Sequence, residues 1–229
     1  MKKGLSVVTT NKGPLAVAMP ALLELAKYEG VQLRFSGTVG GGTPMLDFAK
    51  QCLKGDKLES LEGILNGTTN YVLTKMHDTG IPMEQALNEA KKAGFAEADP
   101  TYDMSGLDTA TKLVIISNWV MGKRVSVRDV DIEGILKLSV SDIQDAKRHG
   151  KAIKLVAHSN EGEMWVRPKL VSQDSPLCVK GTLNAMVFTT ETAGEITLVG
   201  PGAGGNETAA AVLRDLIEIK TALLKRGTS

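Results

Sequence analysis

The sequence has few aromatic residues, few cysteines and almost no net charge. Aromatic residues make up 4% of the 229 positions, and 27 basic residues nearly balance 26 acidic ones. The two cysteines, Cys52 and Cys178, are too few for a disulfide framework or a cysteine-rich metal cluster. The charge balance and the lack of a long basic run exclude the strongly basic surface that is typical of nucleic-acid-binding proteins.

Long apolar runs are absent as well. No stretch reaches the roughly 18 uninterrupted apolar residues of a membrane span, and the N-terminal MKKGLSVVTTNKG lacks the apolar region of a secretory signal. These absences predict a cytoplasmic protein with neither membrane nor nucleic acid as a partner. Hydrophobic residues, at 42% of the chain, are enough for the core of one large domain or two small ones.

The apolar pattern predicts strands and helices that do not alternate strictly. Strand patterns end near Thr9, cover 31–39 and 60–67, and form two pairs, 151–159 with 163–172 and 185–191 with 195–200. Helical patterns cover 14–30, 44–53, 70–80, 82–94, 106–122, 139–150 and the end of the chain. The predicted fold class is therefore α/β (α+β), with a mixed β-sheet covered by helices mainly on one face.

Residues 200–211, GPGAGGNETAAA, combine a glycine-rich loop with the start of a helix. Glycines let the backbone approach a ligand closely, and the free N–H groups of a helix start favour an anion. The segment matches neither a Walker motif nor GxGxxG within a complete βαβ unit. A turn in which Asn206 caps the helix explains it equally well.

Three more short segments suit ligand contact, and each has a commoner explanation. TVGGGTP at 38–44 offers backbone carbonyls to a ligand or cation, but a tight turn needs no ligand. NGTTN at 66–70 offers N–H groups that suit a carboxylate, but Thr68 or Thr69 as a helix cap is the commoner case. Lys12 follows a strand, where ligands bind in open sheets, although most loop lysines are simply solvated.

The stretch GFAEADPTYDMSGLDTATKL, residues 94–113, places four acidic residues just before an apolar helix. They are Glu97, Asp99, Asp103 and Asp108. A Ser-x-x-Asp capping signal beginning at Ser105 accounts for one or two of them, since each carboxylate near a helix start contributes roughly 0.3–1 kcal/mol. Asp108 and Lys112 lie on one helix face. A half-buried lysine among carboxylates is an acid/base candidate, whereas the plainer alternative is a surface ion pair.

Five motifs together resemble the homoserine dehydrogenase family. They are VVTTNKGPLA, TVGGGTPM, GILNGTTNYVL, GFAEADPTYDMSGLDTATKL and GPGAGGNETAAAVL. They occur in the family's order and cover essentially the whole chain. The resemblance implies interconversion of L-homoserine and L-aspartate 4-semialdehyde by hydride transfer with NAD or NADP.

The resemblance also implies catalytic roles for two lysines. Lys112 corresponds to the main proton-transfer lysine at the substrate hydroxyl, and Lys12 to a second catalytic lysine near both substrate and nicotinamide. A lysine must be neutral to accept a proton, and the pKa of a free lysine is about 10.4. Burial and a neighbouring cation lower such a pKa, whereas carboxylates raise it.

The other site residues follow from the same resemblance. Glu97, Asp103 and Asp108 are expected to face the substrate ammonium, and Gly67 and Thr68 the opposite end of the substrate. The residues expected near the cofactor are Asn11, Lys12, Gly202, Gly204 and Glu207. A monovalent cation such as sodium is implied at Val39 and Gly41. Two positions depart from the family: Ser36 replaces a glutamate of the cation site, and Phe95 replaces a pocket tyrosine.

The resemblance further predicts how the chain is organised. The family's complete enzyme begins with a nucleotide-binding domain that carries a glycine-rich βαβ fingerprint, whereas this sequence begins at what resembles the last strand of that domain. Residues 1–30 and 200–229 are predicted to pack together as a remnant of a Rossmann-type nucleotide-binding region. Residues 31–199 are predicted to form the substrate-binding and dimerisation domain. The predicted partners are homoserine or aspartate semialdehyde, a second copy in a homodimer, and a separate nucleotide-binding chain.

Three functions remain open at this point. The first is the substrate part of a homoserine dehydrogenase with its catalytic residues in place. The second is a non-catalytic protein that keeps the pocket and binds homoserine or another amino acid. The third is a generic nucleotide-binding module built on GPGAGG. Turnover of homoserine separates the first from the second.

Overall fold

The computed structural model describes residues 1–227. Its helices are α1 (Lys12–Tyr28), α2 (Met45–Cys52), α3 (Gly67–Thr79), α4 (Met83–Lys92), α5 (Thr101–Met104), α6 (Leu107–Val120), α7 (Val140–Arg148) and α8 (Gly205–Gly227). Its strands are β1 (Val7–Val8), β2 (Leu33–Arg34), β3 (Leu58–Ile64), β4 (Asp131–Ile132), β5 (Lys151–Asn160), β6 (Met164–Ser172), β7 (Leu183–Thr190) and β8 (Gly194–Pro201). Short 3₁₀ helices cover Ser36–Thr38 and Val127–Asp129.

Six strands form one mixed sheet in the order β4-β6-β5-β3-β7-β8. All neighbours pair antiparallel except β4, which runs parallel to β6. Successive strand residues point to opposite faces, and the two faces are covered unequally. Leu61, Leu155 and Phe188 belong to the large cluster that the helices share, whereas Val156 and Val187 belong to a smaller cluster on the other face. The predicted mixed sheet with helices mainly on one face is confirmed.

A second, two-stranded sheet pairs β1 with β2 in parallel, with α1 as the connection between them. This βαβ arrangement puts Asn11 and Lys12 just beyond the carboxyl end of β1, where α/β sheets bind ligands. The last helix, α8, packs against β1 and against the turn at Ser36–Thr38. Arg34 and Glu218 form an ion pair of 2.7 Å between β2 and α8. The two ends of the chain are therefore in contact, while their division into a separate domain stays a prediction.

The strand predicted over 31–39 is largely wrong. Only Leu33–Arg34 pairs, because β1 offers just two residues of partner, and the chain then turns into the 3₁₀ helix at Ser36–Thr38. The prediction also missed α5, β4 and the 3₁₀ helix at Val127–Asp129. Each of these elements has four residues or fewer, so the apolar pattern that would reveal it hardly repeats.

The predicted helix caps are wrong at three helices. Gly106, at φ 85°, occupies the cap position of α6, while the Ser105 hydroxyl donates to the Tyr102 carbonyl inside the preceding turn. Helix α3 is capped by Asn66, whose side-chain oxygen accepts from the Thr69 N–H at 2.8 Å, so neither threonine is the cap. Helix α8 begins at Gly205, which places Asn206 within its first turn.

A buried hydrogen-bonded group ties α8 to the turn after β2. Asp215 is 1% exposed, and its carboxylate accepts from the Ser36 N–H at 2.9 Å and from the Ser36 hydroxyl at 2.6 Å. The same hydroxyl lies 3.0 Å from Asp47, which also accepts from Arg214. Burial raises the pKa of Asp215, and the two bonds from Ser36 only partly oppose that rise. Keeping this carboxylate charged therefore costs stability at neutral pH.

The Asp215→Asn variant should gain stability relative to the wild type as the pH rises. A carboxyl group with a raised folded-state pKa favours the protonated native state, so its contribution falls as the pH rises from the ordinary aspartate range through the folded value. An amide can replace both bonds, with its oxygen accepting from the Ser36 N–H and its NH₂ donating to the Ser36 hydroxyl. Urea unfolding at pH 5 and pH 8 measures the difference. If Asp215→Asn lost more stability relative to the wild type at pH 8 than at pH 5, the raised pKa of Asp215 would be contradicted.

Among residues 1–227, no helix is both long and apolar enough to cross a bilayer.

Candidate active site

A cavity of about 510 Å³ opens between the start of α3, the start of α6 and the loop before α8. It is lined by Lys12, Asn66, Gly67, Thr68, Gly94, Phe95, Ala96, Glu97, Asp103, Asp108, Lys112, Thr182, Ala203 and Gly204. Both predicted lysines and all three predicted carboxylates therefore border one space. They come from segments that are far apart in the sequence, and the fold brings them together.

The Asp108 carboxylate holds both lysines. Lys12 donates to one of its oxygens, and Lys112, one helical turn further along α6, donates to the other at 2.8 Å. Asp108 is 4% exposed and Lys112 is 9% exposed, so this is a buried ionic group rather than a surface ion pair. Lys112 also donates to the Leu65 carbonyl at 2.6 Å, which fixes the direction of its ammonium group.

The ionisation of Asp108 reflects two opposed effects. Burial by itself would raise its pKa, but the positive charges and hydrogen bonds of Lys112 and Lys12 outweigh burial and hold the pKa well below the ordinary aspartate value. Asp108 is therefore a carboxylate across the physiological pH range. It acts as the fixed negative partner of the two ammonium groups.

Asn66 connects the acidic residues to the start of α3. Its side-chain nitrogen donates to Asp103 at 2.7 Å and to Asp108 at 2.8 Å, and its side-chain oxygen caps α3. Both hydrogens and the oxygen of the amide are thereby used, which leaves a single orientation for this 4% exposed side chain. Asp103 and Asp108 are therefore joined through one shared donor.

The start of α3 forms the opposite wall of the cavity. Gly67 is the first residue of this 13-residue helix, and a Cβ atom there would lie 3.0 Å from the Thr182 carbonyl. The Thr68 hydroxyl donates to the Phe95 carbonyl at 2.8 Å, so it fixes the loop after α4 rather than facing the cavity freely. The free N–H groups of the first turn carry partial positive charge, which suits an anion.

The glycine-rich loop before α8 supplies bare backbone at the cavity edge. A Cβ at Gly202 would collide with the buried amide of Asn184, and a Cβ at Gly204 would collide with the Glu207 carboxylate. Gly41, at φ 53°, packs against the same loop, where a Cβ would lie 2.6 Å from the Gly202 carbonyl. A side chain at Gly41 or Gly202 would meet backbone or a buried amide, and the φ of 136° at Gly204 favours glycine, so this loop keeps bare backbone at the cavity edge.

The structure places the remaining predicted residues around this loop. Glu207 lies in the first turn of α8 beside Gly42 and Gly204, and Asn11 caps α1 by accepting from the Gly13 N–H at 3.1 Å. Val39 is fully buried and adjoins the turn that holds Ser36. Gly202, Glu207 and Asn11 do not line the cavity itself. Within residues 1–227, no three acidic, cysteine or histidine side chains are grouped so that they could hold a metal ion.

Sequence reasoning missed three contributors. Asn66 was treated only as part of a capping motif, although its amide joins Asp103, Asp108 and α3. The Leu65 carbonyl and Thr182 carry no sequence signal, because one is a backbone acceptor and the other lies in a turn before β7. Asparagine directly before a helix start was the one available signal, since it is a favoured cap.

Comparisons with known proteins give the family of the chain. The model of the homoserine dehydrogenase family matches residues 44–217. The chain is 49% identical over 213 residues to homoserine dehydrogenase of Methanocaldococcus jannaschii. The chain belongs to the homoserine dehydrogenase family.

Solved homoserine dehydrogenases share the fold. The enzyme from Thiobacillus denitrificans superposes with a TM-score of 0.92 at 34% identity, over 95% of this chain and 52% of that one. A hyperthermophilic archaeal homoserine dehydrogenase in complex with NADPH gives 0.85 at 33% identity, over 96% of this chain and 65% of that one. The match to the M. jannaschii homoserine dehydrogenase covers 93% of this chain but only 63% of that protein.

Replacing Asp108 with asparagine should destabilise the chain by about 3 kcal/mol at pH 7, because the variant leaves the buried Lys112 ammonium and the part-buried Lys12 ammonium without their anion. A carboxylate with a lowered folded-state pKa contributes stability above the ordinary aspartate range, and the contribution is lost as the pH falls through the folded value. The gap between variant and wild type should therefore narrow in acid. Denaturant unfolding at pH 7 and pH 3 measures both quantities.

Asp103→Asn is the matched control, because Asp103 borders the same cavity and accepts from Asn66 at 2.7 Å without a lysine partner among the described bonds. The free energy of unfolding should fall less in Asp103→Asn than in Asp108→Asn at pH 7. Equal losses for the two variants would show that Asp108 is not the partner that stabilises the lysines.

Proposed function

We propose that this chain carries the catalytic site of a homoserine dehydrogenase, which interconverts L-homoserine and L-aspartate 4-semialdehyde by hydride transfer with NAD(P). One observation carries the proposal: two lysines share a single buried carboxylate at the edge of a cavity that also presents free carboxylates and a helix start. A primary alcohol can be oxidised only if its hydroxyl proton leaves along with the hydride, so the site needs an oriented amine. Lys112 and Lys12 are the amines at hand.

Lys112 is proposed to accept the hydroxyl proton at its Nζ atom. Asp108 and the Leu65 carbonyl take two of the three hydrogens of its ammonium group. The third position is left for the substrate oxygen. Loss of that third proton gives a neutral amine that is already aimed, and Asp108 stabilises the ammonium that forms when the substrate proton arrives. Lys12, on the other oxygen of Asp108, supplies a second cation beside the developing alkoxide.

The substrate's charged groups match the other walls of the cavity. Because Asp108 is engaged by both lysines, Glu97 and Asp103 are the carboxylates available to the substrate ammonium. The N–H groups at Gly67 and Thr68 suit the carboxylate of the same amino acid. Two ammonium groups against three carboxylates leave the cavity with one net negative charge, which favours an amino acid held through its ammonium group.

The cavity mouth is the proposed position of the nicotinamide ring. Ala203 and Gly204 line the cavity together with Lys12, and glycine is favoured at Gly202 by the buried Asn184 amide and at Gly204 by its φ of 136°. Asn11 and Lys12 follow β1, and Glu207 lies at the start of α8, so these residues would hold the nicotinamide end of the cofactor at the edge of the cavity. When bound, NAD(P) supplies the hydride acceptor. The ends of the chain, 1–30 and 200–229, are proposed as the part of a nucleotide-binding region that contacts the nicotinamide end of the cofactor, although 228–229 lie outside the described residues.

A monovalent cation has no step in this mechanism. Ser36 brings no carboxylate to the proposed cation site, and its N–H and hydroxyl are both engaged by Asp215. Val39 and Gly41 would offer backbone carbonyls alone. The residues present therefore do not fit a cation site built around a glutamate at position 36.

Lys112→Met should abolish most homoserine oxidation while leaving homoserine binding largely intact. General acid–base catalysis by one side chain is worth about 100-fold or more in rate, and methionine keeps the volume of the lysine stem. The measurement is NAD⁺- or NADP⁺-dependent turnover together with calorimetric binding of L-homoserine. Lys12→Met should reduce turnover as well.

Lys50→Met serves as the control, since Lys50 donates to the Trp119 carbonyl and lies outside the cavity. Unchanged turnover in Lys112→Met would refute the role of Lys112. Clean homoserine binding without any turnover by the wild-type chain would favour the alternative, a non-catalytic homoserine-binding subunit that works with a separate nucleotide-binding chain.

We also infer a homodimer. Helix α8 exposes Leu213, Leu216, Ile217 and Leu223, each at least half exposed. Apolar surface of this kind is normally covered by a partner. Light scattering at micromolar concentration should therefore give about twice the 24.3 kDa of one chain.

Replacing Leu216 and Ile217 together with glutamate should lower that mass if α8 forms the contact, whereas Leu136→Glu, at another exposed leucine, should not. A wild-type mass of one chain would contradict the dimer. A mass that the double variant leaves unchanged would place the contact elsewhere.

A further inference from the structure

Lys154 is a buried lysine that the proposed chemistry does not use. It lies in β5 and is 3% exposed, on the sheet face opposite the large core cluster. Its ammonium group donates to three acceptors: the Asn70 side-chain oxygen at 2.8 Å, the Thr74 hydroxyl at 3.2 Å and the Val179 carbonyl at 2.6 Å. An ammonium has three hydrogens, so every one of them is used.

Asn70 extends this contact toward the cavity. The Lys154 ammonium fixes the Asn70 amide oxygen, which turns the amide nitrogen toward the segment before β7. That nitrogen donates to the Leu183 carbonyl at 3.0 Å and to the Val179 carbonyl at 3.3 Å. The chain is thus held on both sides of the turn at 180–182, which is closed by the Leu183 N–H donating to the Lys180 carbonyl.

Thr182 sits between the two anchored carbonyls and lines the substrate cavity. Its own carbonyl approaches Gly67, where a Cβ would be only 3.0 Å away. The same wall therefore contains the start of α3 and the turn at Thr182 in close contact. Movement of the turn would open the wall that faces the free N–H groups of α3, while Lys12, Asp108 and Lys112 on the other side keep their bonds.

We infer that Lys154 is a positioning residue for the substrate cavity, acting through Asn70 on the turn that carries Thr182. We call Lys154, Asn70 and the Val179 carbonyl the clamp. The link to homoserine rests on the proposed function, whereas the contacts of the clamp do not depend on it. A lysine buried on a sheet face is costly unless it is fully bonded, and burial lowers the pKa of Lys154 to about 8. The Lys154 ammonium, whose burial is unfavourable, thus lies where its bonds fix the turn at 180–182.

The first test measures the turn without any ligand. In Lys154→Met, backbone amide exchange in the segment 179–184 should accelerate about tenfold, the effect of losing one or two hydrogen bonds of ordinary strength. Lys169→Met is the matched control: Lys169 is the direct cross-strand neighbour of Lys154 on the same face, and it bonds Glu62 instead of the turn. Exchange in 179–184 should stay unchanged in the control.

A second variant keeps the inference testable if Lys154→Met does not fold. Asn70→Asp retains an oxygen for Lys154, now as an ion pair, but removes the nitrogen that donates to Val179 and Leu183. It should fold and still accelerate exchange in 179–184. Unchanged exchange in Asn70→Asp would overturn the inference.

The link to the cavity is read from homoserine binding and turnover. Lys154→Met should raise the Kd or KM for L-homoserine by about tenfold with less than about threefold change in kcat, because the lysine pair is untouched. Faster exchange with unchanged homoserine affinity would overturn the positioning role. If the wild-type chain binds no homoserine, the proposed function fails, while faster exchange in both variants would still support the clamp.

Discussion

The buried contact of Asp108 with Lys12 and Lys112 is the interaction on which the rest of the site depends. A carboxylate that is 4% exposed is tolerable only if its charge is matched, and two ammonium groups match it from two sides. Two ammonium groups repel each other, and the Asp108 carboxylate between them offsets this repulsion. Asp108 thereby holds two like charges at the edge of one cavity. Asn66 and the Leu65 carbonyl then remove the remaining freedom of the group.

The helix that carries Asp108 and Lys112 explains why the group can be buried. Helix α6 is almost wholly enclosed from Asp108 to Asn118, so its first turn faces the interior and not solvent. Five of its eleven buried residues are apolar, namely Ala110, Leu113, Val114, Ile115 and Ile116, and their packing helps to offset the desolvation of the charged ones. Gly106 at the cap position lets the chain enter the helix in a left-handed conformation, which leaves Asp108 free to bond lysines instead of capping the helix.

How far the sequence predicted the molecule depends on the kind of signal. Long apolar helices and the strand pairs at 151–172 and 183–201 were visible because periodicity accumulates over many residues. The grouping of Lys112 with Asp108 was visible from their spacing of four. The cap positions were not, because asparagine, serine, threonine and glycine compete for them and tertiary contacts decide. Asn66, and not Thr68, caps α3, because the Asn66 amide also donates to two carboxylates. Thr182 and the clamp at Lys154 leave no sequence pattern, because they depend on how β3 ends and α3 crosses the sheet.

The pairing of Lys12 with Asp108 also sets a condition on the whole chain. These residues are 96 positions apart: one follows a strand of the small parallel pair, and the other begins a helix over the large sheet. The bond between Lys12 and Asp108 forms only when the small parallel sheet packs correctly against α6. Helix α8 is tied to the same small sheet by the Arg34–Glu218 ion pair and by the bonds from Ser36, in the turn after β2, to Asp215. The amine closest to the cavity mouth is therefore positioned by the fold of both chain ends. A site built in this way cannot be carried by 31–199 alone, because that segment would retain Lys112 and Asp108 but lose the second cation.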